Sequence, residues 1–154
     1  MDLDQDDLAG VLDLFGGLTS DELDRALEEM AFRAGDPEDV PGTDLLTAAV
    51  EEFVVVEIER DDGKTWYFPG PAAFPTVPEP AEDLPQILDL ARRSIDREAL
   101  GRAAVQRFRA EAARAVNEGD EDRMGALVDL SYEIEAWAPV DVSSVRDRLD
   151  DARG

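Results

Sequence analysis

At 154 residues the chain fits one domain, or two small subdomains sharing a core, and 44% apolar residues with two tryptophans suffice for a modest core, so disorder throughout is excluded. The absence of cysteine and histidine excludes disulfides, thiolate chemistry, the usual zinc sites, Ser-His-Asp and Cys-His triads and imidazole general bases. Acidic residues number 38 against 15 basic ones, a net charge of −23; no apolar run approaches the roughly 18 residues a membrane span needs, and the acidic start Met1-Asp2-Leu3-Asp4 is unlike a basic secretory leader, so the expected location is cytoplasmic.

Leu8, Val11, Leu12 and Phe15 recur at helical spacing and predict a first helix from an Asp4 cap to about Phe15, stopped by Gly16-Gly17. Thr19 and Glu22 then form a capping box, with Leu18 and Leu23 as a hydrophobic staple, opening a second helix whose Leu23, Ala26, Leu27 and Met30 share a face and which ends near Gly35. Gly35 to Gly42 reads as a loop, and Thr43 as the cap of a third helix carrying Leu46, Ala49, Val50 and Phe53.

From Val54 the apolar period falls to two. Val54 to Glu59 and Thr65 to Phe68, separated by Asp61-Asp62-Gly63, predict a β-hairpin. A two-residue turn would set Trp66 opposite Glu59, whereas a three-residue loop with a left-handed Gly63 sets Trp66 opposite Ile58 and Phe68 opposite Val56. The second register is preferred because it gathers Val54, Val56, Ile58, Trp66 and Phe68 on one face to pack against the helices.

Six of the nine prolines lie between Pro69 and Pro85, too many for a helix or central strand. With Phe74 and Val77 among them, a strap lying on the surface is favoured over a free linker or a polyproline ligand. Beyond it the patterns are helical: Leu84 to Arg93; a longer helix capped by Asp96 with Leu100, Ala104, Val105, Phe108, Ala112 and Val116 in a stripe; a turn at Gly119-Asp120; an antiparallel helix with Met124, Leu127, Leu130, Ile134 and Trp137, broken at Pro139; and a short last helix from Ser144 through Leu149. The expected fold is α+β and mainly α: a winged-helix-like subdomain of three helices and a hairpin (1–68), a proline-rich strap or linker (69–85) and a helical subdomain (86–154) built on an antiparallel helical hairpin.

Three helices followed by strand, wing and strand, over residues 4–68, resemble the winged-helix variant of the helix-turn-helix. The whole chain resembles an uncharacterised family of haloarchaeal proteins through Leu12-Asp13-Leu14-Phe15-Gly16, the Phe68-Pro69-Gly70-Pro71 to Phe74-Pro75-Thr76-Val77-Pro78 stretch and Glu135-Ala136-Trp137-Ala138-Pro139. That resemblance implies a salt-adapted origin, which accords with the acidity, and supplies no functional residues.

The winged-helix likeness would imply DNA binding through the third helix, but that helix has no basic residue and offers Asp44, Glu51 and Glu52; only Arg60 and Lys64 flank the wing tip. Basic residues concentrate later, with seven arginines between Arg92 and Arg114 against Asp96, Glu98 and Glu111. On a helical wheel Arg107 and Arg114 border one flank of the apolar stripe, and Arg102 and Arg109 the other; stems covering apolar surface and heads pairing with carboxylates account for them as structural residues.

No catalytic or metal pattern emerges. Asp120-Glu121-Asp122 fails as a calcium loop because Met124 and Ser131 fall where oxygen ligands are required, and Gly16-Gly17 lacks a phosphate loop's Gly-Lys-Ser/Thr ending. No catalytic residue, cofactor or metal is therefore expected. The reading is a non-enzymatic cytoplasmic interaction or regulatory module with an unidentified protein partner and no membrane contact, its candidate surfaces being the wing with Trp66 and Tyr67 and the edge bearing Arg102, Arg107, Arg109 and Arg114. The alternative is a transcriptional regulator that contacts DNA through the arginine-rich helix.

Overall fold

A computed structural model describes residues 2–154, which form two compact units, the first ending at Ile95 and the second running from Asp96 to Gly154. The protein is α+β and mainly α, with seven helices and one small antiparallel sheet among the described residues. The strap at 69–85 lies within the first unit.

In the first unit, α1 (Gln5–Phe15) begins at Asp4, whose carboxylate accepts the Asp7 N–H while the Asp7 carboxylate accepts the Asp4 N–H. α2 (Ser20–Arg33) begins with the predicted Thr19/Glu22 box, at 3.2 and 3.0 Å. α3 (Thr43–Glu51) starts one residue earlier than expected: Thr43 is its first residue and Gly42 stands at the cap position, without a side-chain cap bond. Phe53 lies beyond this helix, left-handed at φ 64°, and Val54 N–H closes on Ala49 O at 3.0 Å. That conformation costs a side-chain-bearing residue on the order of 1 kcal/mol, offset here by burial of the phenyl ring.

The sheet contains β1 (Leu18–Thr19), β2 (Val55–Glu59) and β3 (Thr65–Pro69) in the order β1-β3-β2. The hairpin register is the preferred one, Val56 opposite Phe68 and Ile58 opposite Trp66, with Gly63 at φ 76° in the loop. β1 was not expected; it pairs Leu18 with Tyr67 and Thr19 with Trp66. This extra strand explains a correction to the expected facing. Leu18 and Tyr67, directly opposed, enter the core with Val54, Val55 and the apolar faces of α1 and α2, so Trp66, Phe68, Val56 and Ile58 belong to the other face of the sheet. There the Phe68 ring lies against Gly17, where a Cβ would stand 2.2 Å from it.

The proline-rich stretch is docked, mainly through its backbone. Phe74 N–H donates to Asp6 Oδ1 (3.1 Å), Thr76 N–H to Asp6 O (3.1 Å) and the Thr76 hydroxyl to Asp7 Oδ1 (2.8 Å), while Ala81 and Leu84 bury its far end. Phe74 and Val77, expected to hold it down, are exposed. The close approach requires Gly10, whose added Cβ would stand 1.8 Å from the Thr76 carbonyl oxygen. Gly10→Ala is expected to lift the strap at a cost of about 1–3 kcal/mol. Hydrogen exchange checks this: the Thr76 amide should lose protection, and wild-type protection would contradict the docking described.

The helix expected from Leu84 to Arg93 is a single turn, α4 (Leu84–Ile87). The following chain leaves helical geometry because Asp89 turns left-handed at φ 53° and Arg93 is tied elsewhere. Arg93 N–H donates to Phe15 O at 2.7 Å, and Gly16, at φ 80°, sits so close that a Cβ would stand 1.8 Å from Arg93 O.

The second unit packs α5 (Arg97–Glu118), α6 (Glu121–Trp137) and α7 (Ser143–Ala152). The turn is as predicted, with Gly119 at φ 65° and Asp120 accepting from Arg123 N–H. α7 is longer than expected and packs on both α5 and α6, so the unit is a three-helix bundle in place of a hairpin with a tail. Arg146 secures α7 by donating to Ser131 Oγ (2.9 Å) and Glu135 Oε1 (2.8 Å), while Glu135 Oε2 accepts Val142 N–H at 3.0 Å.

Candidate interaction face

On α5 the buried stripe is Leu100, Ala104, Phe108, Ala112 and Ala115. Beside it a second series recurs every three to four residues and stays open: Arg102, Val105, Gln106, Arg109, Ala113 and Val116. Val105 is half-buried and Val116 is 41% exposed, so two residues expected in the core stripe belong instead to this outward series. Between α5 and α7 lies a depression of about 520 Å3, whose apolar lining is Ala112, Ala113 and Val116 from α5 and Val145, Leu149 and Ala152 from α7. Arg109 and Arg148 line it from opposite helices, with Asn117 and Asp151 completing it. A second depression, about 570 Å3, extends along α5 past Val105 and Gln106 to Val140, bordered by Arg102, Arg109 and Asp141; Arg109 is common to both.

Four arginines of the second unit have carboxylate partners. Arg114 and Arg123 both reach Glu111 Oε2, at 3.0 and 3.5 Å; Arg146 pairs with Glu135, and Arg153 with Asp150. Among the described residues, no carboxylate stands within ion-pairing distance of Arg102, Arg109 or Arg148. Asp141 Oδ1 accepts Ser143 N–H at 2.9 Å, and the Ser143 hydroxyl together with this N–H holds its carboxyl below the usual range. Three guanidiniums therefore stand without ion-pair partners around an apolar trough, in a chain of net charge −23.

The structure divides the sequence-selected residues. Arg102 and Arg109 share the open face, whereas Arg114 belongs to the Glu111 cluster and Arg107 is half-buried. Trp66 and Tyr67 do not form one surface. Tyr67 is buried, which pushes its hydroxyl pKa up. Trp66 is half-buried and engaged by its own chain: Nε1–H donates to Asp62 Oδ2 (3.0 Å), the Phe68 ring stacks at 6.2 Å, and the Arg60 and Arg93 guanidiniums lie 5.1 and 5.2 Å from its centroid. Sequence reasoning missed Arg148. Its signal was Val145 and Leu149 on one side of a short amphipathic segment, with Arg148 beside them.

Among the described residues no group of three or more acidic side chains is arranged to hold a metal ion, and no helix is long and apolar enough to cross a membrane. No curated protein and no solved structure matches the chain. A family model does match, over residues 6–154: the chain belongs to a family of unknown function, DUF7109.

Proposed function

We propose that this protein is a non-enzymatic, cytoplasmic interaction or regulatory module of a salt-adapted organism, and that its contacts with protein run through the α5/α7 face. The observation that carries the reading is the set of unpaired Arg102, Arg109 and Arg148 around an open apolar trough. An apolar centre with a charged rim is the composition of a protein-contact surface. The acidity, with one lysine against fourteen arginines, supports the salt-adapted origin. The element order of the first unit, with β1 completing a sheet around the hairpin, supports a winged-helix-like description.

The second reading, a DNA-binding regulator, is favoured by the same arginines. Against it stand the exposed Asp44 and Glu52 on and just after α3, and the small number of cations available to neutralise phosphates. Titrating a labelled mixed-sequence duplex with the full chain separates the two. No saturable binding is expected at any salt at which the fold persists; binding that weakens steeply as salt rises would replace the protein-contact reading with the DNA one.

A further inference from the structure

We infer that the α5/α7 face takes a single amphipathic α-helix of about four turns from a partner protein, with carboxylates flanking its apolar seam, and so completes a four-helix bundle. The inference rests on the protein-contact reading above and names the partner's chemistry. The open series on α5 recurs at the three-four spacing of a helix–helix seam, from Arg102 to Asn117, which spans about 22 Å at 1.5 Å per residue. Opposite it, Val145, Leu149 and Ala152 of α7 recur at helical spacing, the buried Val145 and Leu149 forming the floor and the exposed Ala152 the rim, so two helices bound one trough. Ala112, Ala113 and Ala152 keep the walls low, which lets a third backbone approach closely, and the exposed Val116 gives it an apolar contact. An extended peptide would leave this two-helix trough poorly filled, and a sheet edge has no strand here to pair with; helix-in-groove recognition fits.

Charge selects the helix. Arg102 and Arg109 lie seven residues apart on one wall, and Arg148 stands on the other. Carboxylates on both flanks of an apolar seam would meet all three. Lysines there would meet only the guanidiniums, apart from Asp151 at one end and Asp141, already bonded to Ser143.

Two synthetic helical peptides of about 16 residues test this. They share an Ala/Leu seam and differ in having Glu or Lys on its flanks. Each is titrated into the isotopically labelled full chain in molar KCl, with amide shifts as the readout. The Glu-flanked peptide is expected to shift α5 and α7 amides and to bind roughly threefold or more tightly than the Lys-flanked one, the preference being compressed by screening at that salt. Ala113→Arg, at an exposed position where the fold tolerates it, should abolish binding by filling the trough. Arg102→Glu/Arg109→Glu/Arg148→Glu should reverse the preference, and far-UV circular dichroism verifies that both variants remain helical. Equal binding of the two peptides, unmoved α5 and α7 amides with both, or wild-type binding by Ala113→Arg would overturn the inference. A protein partner captured equally by wild type and by Ala113→Arg would sink it while leaving the broader interaction reading intact; duplex binding would sink that reading.

Discussion

Arg93→Ala is expected to lower the stability of the first unit by about 2–3 kcal/mol. Its guanidinium donates to Gly17 O at 3.0 Å and to Glu22 Oε1 and Oε2 at 2.7 and 2.5 Å, and also lies over Trp66. The pair is well shielded, with 23% and 17% of the two side chains exposed, so truncation leaves a largely desolvated carboxylate beside the α2 cap. Arg93→Lys should recover only part of the loss, because an ammonium cannot form the two-pronged contact with Glu22 and reach Gly17 in one geometry. Urea denaturation in molar KCl, followed by Trp66 fluorescence in a Trp137→Phe background, measures both. A loss below about 1 kcal/mol for the alanine variant would mean that the network is incidental to the fold.

The second large effect is acid sensitivity localised at Glu22. The Arg93 guanidinium hydrogen-bonded to it lowers its pKa from 4.5 to about 2 against the opposing effect of burial, with the Thr19 N–H assisting. Because the folded value is the depressed one, the stabilisation is complete above about 4.5 and drains away as pH falls toward 2. Glu22→Gln should therefore be about 2 kcal/mol less stable than wild type at neutral pH, and the gap should narrow as pH falls through that window. Using the difference between the two proteins cancels the titration common to the other carboxylates. A gap unchanged between neutral pH and the lower end of the window would contradict the assigned ion pair.

Where one local interaction decided the geometry, the sequence was readable. The Thr19/Glu22 box, the Gly119-Asp120 turn and the Gly63 hairpin each depend on residues within a few positions, and each stands where its pattern put it. Long-range partners were what could not be read. Leu18 and Thr19 were legible as staple and cap, yet their pairing with β3, some fifty residues away, carried Tyr67 into the core beside Leu18, while Phe68 and Val56 are buried on the opposite face of the sheet and Trp66 is only half-buried there. Arg93 likewise ended a plausible helix early because its partners, Phe15 O, Gly17 O and Glu22, lie more than seventy residues upstream. The candidate face was half visible: Arg102 and Arg109 were picked out, but their company with Arg148 and the openness of Val116 depend on how α7 packs beside α5.

We propose that the α5/α7 face meets protein. This is tested most directly by tagged purification in molar KCl from a host of the native type, comparing wild type with Ala113→Arg, with mass spectrometry for proteins and absorbance at 260 nm for nucleic acid. Wild type should bring down a stoichiometric protein without nucleic acid, Ala113→Arg should lose it, and the captured protein should contain an acidic amphipathic helix. Co-purifying nucleic acid, or a partner retained in full by Ala113→Arg, would contradict the account.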